Sequence, residues 1–261
     1  MERITSSDNP SIKMVRRLLS SRKHREREGL FVLEGLNAVG SLFQVGQTRI
    51  AVEILITCDS LSETQKGAEI SAAAGNLRQL VVPDALLQRI QDTRSSQGIV
   101  AVARIPREPL ADPLPEGNYL LTDDISDPGN MGTLIRSAVA AGFKGLLLRG
   151  DCVDIHNPKC VRSTAGTLPF LPAWKICDKD ISDLRSQGFE ILTAQMGTGE
   201  SVYEMRLGKR NILAVGNEAH GLSETLREEA TRAVHIPIDN RCESLNAAIA
   251  GSVIMLAMQH R

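Results

Sequence analysis

Beyond residue 117 the chain repeats one pattern. Short apolar runs of strand length, "YLLTDDI", "KGLLLRG", "FEILTAQ", "RNILAVG" and "AVHIPI", alternate with segments whose apolar residues recur at helical spacing. The runs are rich in leucine and β-branched residues and lack polar alternation, as expected of strands buried on both faces. Such strands separated by helices form a parallel sheet, because a parallel neighbour is reached only through a long crossover. The pattern therefore predicts an α/β fold with helices on both faces of a parallel sheet. It closes with an apolar helix from Ser244 to the end.

The segment before residue 106 reads as another α/β unit. Strands are predicted at "LFVLEG", "VEILIT", "RQLVVP" and "GIVAVARI", and helices around 11–24, 36–44, 63–74 and 84–91. Between the halves, "PREPLADPLPEG" carries four prolines and suits a linker. The expected division is a domain over 1–105, a linker over 106–117 and a domain over 118–261. With 261 residues, 42% hydrophobic and 23% charged, the chain is long and apolar enough for two cores. No apolar run reaches membrane-spanning length, and the opening "MERITSSDNP" is polar, without a signal region. Five widely spaced cysteines with no CxxC pair fit a reduced, cytoplasmic protein.

Charge is segregated along the chain. The formal net charge is −1, yet "IKMVRRLLSSRKHRER" holds Lys13, Arg16, Arg17, Arg22, Lys23, Arg25 and Arg27 against Glu26 alone. Such a run is either a solvated helix face or a phosphate-binding face. Aromatic residues make up only 3%, which argues against recognition chiefly by base stacking.

Three loops of the second half hold the chemistry-bearing residues. In "DPGNMGTLIRSAVAAG", turn residues lead to Asn130 as helix cap, and Arg136 lies in an otherwise apolar, small-residue helix that Gly142 stops. In "AVGNEAHGLSETL", a strand ends at Gly216, a loop holds Glu218 and His220, Gly221 permits a sharp turn, and Ser223 caps a helix. In "HIPIDNRCESLNAAIAGSVIML", a strand ends at Ile238, a polar loop follows, and Ser244 caps the last helix with Asn246 in its first turn. Taken singly, each is an ordinary capped βα loop.

In this order, "NMGTLIRSA", "GNEAHGLS" and "IPIDNRCESLN" resemble the three motifs of the SpoU (TrmH-like) branch of the SPOUT RNA 2′-O-methyltransferases. "FVLEGLNAV" and "TRSSQGIVAV" resemble that family's ribosomal-protein-like substrate-binding domain. Asn217 departs slightly, standing where small residues are more usual. The resemblance implies a deep trefoil knot in the second domain, S-adenosylmethionine as methyl donor, and a homodimer formed through that domain. It implies cofactor contacts at Gly216, Ile236, Ile238 and Leu245, with Ala194 a further contact, largely through backbone groups. It implies catalytic roles for Asn130, Arg136, Glu218, Ser244 and Asn246. A guanidinium keeps its charge in proteins, so Arg136 suits a stabiliser of an alkoxide or a grip on a phosphate better than a general base. The implied substrate is RNA, favouring 23S rRNA of the large subunit, with tRNA the alternative.

Other chemistries lack their residues. No G-x-G-x-x-G follows the first strand, and "GTGESV" supplies only half of one. Cys152, His156 and Cys160 have no fourth ligand at recognisable spacing, and Asn157-Pro158 reads as a helix start, so no metal is expected. His24, His220 and His260 read as exposed or structural. No G-x-S-x-G elbow is present. The rival from another class is a non-catalytic RNA-binding or ribosome-assembly protein of the same fold. The joint presence of Asn130, Arg136, Glu218, Ser244 and Asn246 weighs against it.

Overall fold

The computed structural model describes residues 1–43, 50–91, 97–195 and 199–259. His260 and the first residues of "GTGESV" lie outside these, as does most of "TRSSQ". In chain order the first half holds β1 (Glu2–Arg3), α1 (Pro10–Ser20), α2 (Arg22–Glu28), β2 (Leu30–Glu34), α3 (Leu36–Ser41), β3 (Val52–Cys58), α4 (Asp59–Ser62), α5 (Gln65–Ala74), β4 (Arg78–Val82), α6 (Asp84–Ile90) and β5 (Ile99–Arg104). There follow β6 (Gly117–Asp123), α7 (Pro128–Ala140), β7 (Gly145–Arg149), α8 (Pro158–Ser163), β8 (Ala173–Ile176), α9 (Asp178–Ser186), β9 (Glu190–Ala194), β10 (Glu200–Ser201), β11 (Arg210–Gly216), α10 (Glu224–Glu229), β12 (Arg232–His235) and α11 (Ala247–Gln259).

The chain divides into two compact units. The first comprises Met1–Arg107 with Asp154–Phe170, and the second Glu108–Val153 with Leu171–Arg261. The division thus falls inside the proline-rich stretch, while a segment expected in the second domain packs with the first. Within the first unit, the sheet order is β1-β4-β3-β5-β2, and β5 runs antiparallel to both of its neighbours. One side of this sheet is packed by Ile12, Val15 and Leu18 of α1 and Leu87 of α6.

The expected helix over 11–24 is split at Ser21, whose extended backbone ends α1 and whose hydroxyl caps α2. The split matters for the basic run. Arg25 turns inward, 3% exposed, and bonds Asp154 at 2.8 Å and the Leu18 carbonyl at 2.5 Å. Lys13, Arg22 and Arg27 pair with Asp8, Glu26 and Glu28. Arg16, Arg17 and Lys23 stay exposed, with no side-chain partner among the described residues.

Asp154 is held well below the ordinary aspartate value. Burial opposes this, but His156 and Arg25 outweigh it. His156 also stacks on Phe31, with ring centroids 4.6 Å apart. Cys160 is buried, and Cys152 bonds toward Thr122 and the Arg149 carbonyl. Among the described residues no group of three or more His, Cys, Asp or Glu is placed to hold a metal.

In the second unit the strand order is β10-β12-β9-β11-β6-β7-β8, and every pairing is parallel. Tyr119, Leu121, Ile191 and Ile212 face one side, packed with Ile181 and Leu184 of α9 and Leu226 of α10. On the other side α11 lies against α7 and β11. That approach needs Gly251, because a Cβ there would sit 2.6 Å from the Leu134 side chain and 3.1 Å from that of Val215. The second half of the expected linker is packed rather than free. Leu114 is 1% exposed, and its backbone bonds the side chains of Gln187 and Arg210. Among the described residues no helix is long and apolar enough to cross a membrane.

Candidate active site

Parallel strands deliver their C-terminal ends to one edge of a sheet, where ligand sites of open α/β folds form. Here β6 and β11 pair from Gly117 against Arg210 to Asp123 against Gly216. The loops leaving them therefore start side by side.

The first loop turns into α7 three residues earlier than the sequence suggests. Asp127, not Asn130, is the N-cap, its carboxylate accepting from the Asn130 backbone N–H at 2.8 Å. Pro128 occupies the first helical position, where its missing N–H costs nothing. Asn130 is thereby left inside the first turn with its side chain free to face the other loops. Its Nδ2 donates to Glu218 at 2.8 Å, and its Oδ1 accepts from Asn246 Nδ2 at 3.1 Å. Glu218 accepts further from the backbone N–H groups of Ser126 and Asp127, at 3.5 and 3.4 Å. Burial acts to raise the Glu218 carboxyl, but the Asn130 amide and these backbone donors outweigh it and hold it below the ordinary glutamate value.

Asn246, not Ser244, caps the last helix. Its Oδ1 accepts from Ala248 N at 2.9 Å and Ile249 N at 3.2 Å, and the helix begins at Ala247. The Asn side chain thus works twice, one end on the helix and the other on Asn130. Ser244 lies exposed in the preceding loop.

Arg136 takes a different place. Leu134, Ile135 and Ala138 are fully buried, which turns Thr133, Arg136 and Ala140 outward. The arginine is exposed, not enclosed as its apolar neighbours in sequence suggest. It has no hydrogen-bond or ion-pair partner among the described residues. Three of the expected catalytic side chains therefore meet directly, and Arg136 and Ser244 stand apart from that chain of bonds.

Beside it lies a cavity of about 600 Å³, within the ordinary range for small-ligand sites. Ala194, Gly216, Ile236, Ile238 and Leu245 all line it, as do Glu218 and Ser244. Its floor is apolar, from Ala214, Val215, Ala250 and Ile254. Its charged lining is Glu218, Asp239 and Glu243, with no Lys or Arg among the lining residues. Gly216 and Gly221 make the rim possible. A Cβ on Gly216 would lie 2.3 Å from the Gly221 backbone, and Gly221 has a φ of +70°. This lining fits S-adenosylmethionine, whose adenine needs an apolar slot with backbone hydrogen-bonding groups and whose sulfonium and ammonium suit acids. It suits phosphates poorly.

The bonds that several residues make here escaped the sequence reading. Asn217 donates from Nδ2 to the Asp124 carbonyl at 2.7 Å and accepts at Oδ1 from Ala219 N and His220 N. Buried Asp123 accepts from Ser223 N at 2.7 Å and from Arg149 at 2.6 Å. Ser223 precedes α10, but its hydroxyl makes no capping bond and instead accepts from Arg149 at 2.8 Å.

A family model described as the SpoU rRNA Methylase family matches residues 117–256, and one described as an MRM3-like substrate binding domain matches residues 9–101. The chain is 31% identical to a 23S rRNA (uridine(2479)-2′-O)-methyltransferase of Streptomyces viridochromogenes, over 97% of this chain and 90% of that one. It is 27% identical to the 23S rRNA (guanosine(2553)-2′-O)-methyltransferase RlmP of Bacillus subtilis, over 98% of both. Its fold superposes on that of an AdoMet-bound rRNA methyltransferase from Sinorhizobium meliloti with a TM-score of 0.85 and 28% identity, covering 99% and 98% of the two chains.

The Asn130–Glu218 bond makes a pH prediction with a definite sign. In the native chain the Glu218 value is depressed, so its stabilisation is present above the unfolded value of about 4.3 and is lost only as pH falls through the lower folded value. Asn130→Asp would set two carboxylates within hydrogen-bond reach and raise one folded value instead. The native melting temperature should then be flat from about pH 5 to 7. That of the variant should fall as pH rises. Thermal melts across this window check both slopes.

Proposed function

This chain belongs to the SpoU rRNA Methylase family, and from that premise we propose that it transfers the methyl group of S-adenosylmethionine to a ribose 2′-hydroxyl of large-subunit ribosomal RNA. The observation that carries the proposal is the joint use of Glu218, which lines the cavity and also binds Asn130. Cofactor pocket and polar cluster are thus one site. Two homologues named as 23S rRNA 2′-O-methyltransferases, aligned over nearly the whole chain, support the substrate.

When bound, S-adenosylmethionine supplies an electrophilic methyl group on a sulfonium sulfur. Ala194, Gly216, Ile236, Ile238 and Leu245 would hold it in the cavity. The remaining work falls to the chain's own groups. A 2′-hydroxyl must be aligned and its developing negative charge stabilised. Arg136 is suited to both an alkoxide and a neighbouring phosphate, because no internal carboxylate among the described residues neutralises it. Asn130, with its amide orientation set by Glu218 and Asn246, orients the ribose. Ser244, in the loop before α11, offers a hydroxyl to the RNA from the cavity wall. The trefoil knot of the family, with the segment after β12 threaded before α11, belongs to the same proposal.

The substrate-binding role of the first unit rests on its family match and on Arg16, Arg17 and Lys23. Homodimerisation rests on α11, where Ile249 and Leu256 are 51% and 44% exposed seven residues apart on one face. A reducing cytoplasm is the compartment that suits five free cysteines.

Three measurements test this reading. Arg136→Ala should lower turnover on ribosomal RNA by about a hundredfold or more while calorimetric binding of S-adenosylmethionine changes little. Near-normal turnover by a folded variant would remove Arg136 from the chemistry. Replacing Arg16, Arg17 and Lys23 together with glutamine should shrink the salt slope of RNA binding by about 2, three phosphate contacts at roughly 0.7 each. An unchanged slope would make that face merely solvated. In sedimentation, the full chain should be a dimer and Ile249→Glu/Leu256→Glu a monomer. A native monomer at micromolar concentration would refute the dimer.

A further inference from the structure

The loop carrying Glu218 is fastened at both ends by groups to which no role has yet been given. Its first residue, Asn217, donates to the Asp124 carbonyl at 2.7 Å. Its last, Ser223, donates its backbone N–H to Asp123 at 2.7 Å. Both anchors sit at the end of β6, in consecutive residues. Between them the loop is closed on itself, Asn217 and Gly221 exchanging both backbone bonds at 2.9 Å. We infer that Asn217 and Asp123 are positioning residues for methyl transfer, clamping the loop 217–223 so that Glu218 meets the Asn130 amide.

The inference rests on the proposed reaction but draws on separate observations. Asp123 is 1% exposed. A buried carboxylate is costly unless every bond it can make is made. Here one oxygen takes the Ser223 N–H and the other takes Arg149, which also reaches Ser223 Oγ and Asp178. An apolar residue would fill that space without the desolvation cost, yet would leave Ser223 unanchored. The Asn217 side chain uses its donor on one loop and its acceptor on its own loop, so it fixes the direction in which residue 218 leaves the strand. Asp124 itself holds a φ of +55°, a sparsely populated conformation that persists where surrounding bonds over-determine it. Displacing a positioned group by about 1 Å can cost a hundredfold in rate. Glu218 reaches Asn130 over 2.8 Å with little room for such a shift.

The test is a double-mutant cycle with a spectroscopic arm. Asn217→Ala should lower kcat by about tenfold to a hundredfold. In a Glu218→Ala background, which removes the acceptor for the Asn130 amide, the same substitution should cost about twofold or less, because a residue acting through Glu218 has nothing left to position. An equal loss in both backgrounds would overturn the inference and make the role one of general stability. Asp123→Asn should follow the same non-additive pattern. Should it fail to fold, Asn217→Ala decides. The side-chain amide protons of Asn130 report the bond to Glu218 directly. In Asn217→Ala their NMR signals should move toward the positions found in Glu218→Ala, and unchanged signals would overturn the clamp. If the native chain fails to methylate ribosomal RNA, the proposed function falls, while the Asn130 signals still decide whether the clamp exists.

Discussion

The pairing of β6 with β11 over seven residues in parallel register is the constraint on which the site depends. It sets Asp123 beside Gly216, so two loops separated by some ninety residues in sequence leave the sheet as neighbours. Asp124 can then accept from Asn217, and Asn130 can reach Glu218. The third loop is brought in by a different device. Gly251 lets α11 approach α7 and β11 closely, which places the start of α11, and with it Asn246, at the start of α7. A one-residue slip in the β6–β11 register would displace Asn217 from Asp124 and Glu218 from Asn130.

Two arginines of the second unit, Arg149 and Arg136, show how the site divides its charge. Arg149 is 13% exposed on its side chain and engages Asp123 and Asp178. Burial works to lower its value, and the two carboxylates more than reverse this. Its charge is consumed in holding backbone and loop. Arg136 has no such partner among the described residues and lies in water. Glu218, the carboxylate of the site, is committed to Asn130 and the backbone around Ser126. Under the proposed function, Arg136, without a carboxylate partner among the described residues, is the charge offered to a phosphate or an alkoxide. The cavity, lined by carboxylates and no basic side chain, carries the opposite sign.

Much of this was legible in the sequence, and the failures have identifiable causes. The apolar runs located β2 to β7, β9, β11 and β12, because burial on both faces leaves a composition signal. The short β1, β8 and β10 left none. "AWKI" at β8 lies at the sheet edge with two half-buried residues and one exposed, and β10 spans only Glu200–Ser201. All three motif loops were found, but two caps were misplaced. Asn130 and Ser244 are good capping residues by type, yet Asp127 with Pro128, and Asn246, took the caps. Pro128 was the available signal for the first. Arg136 read as enclosed because its sequence neighbours are apolar, whereas a helix shows adjacent residues to different sides. The roles of Asn217, Asp123 and Arg149 exist only through pairings across long sequence separations, which periodicity cannot reveal.

The proline-rich stretch misleads for a related reason. It reads as the place where two domains part, and one boundary does fall there, at 107/108. The chain nevertheless passes between the units twice more, entering the first unit at Asp154 and leaving it after Phe170. That excursion is not loosely attached. Cys160, Val161 and Leu168 are buried, and Arg25 reaches Asp154 from α2. Removing the first 115 residues would strip these apolar groups of their cover and leave the buried Asp154 carboxylate without its arginine, with only His156 to compensate it. The second unit is therefore not a module that can be cut out at the prolines.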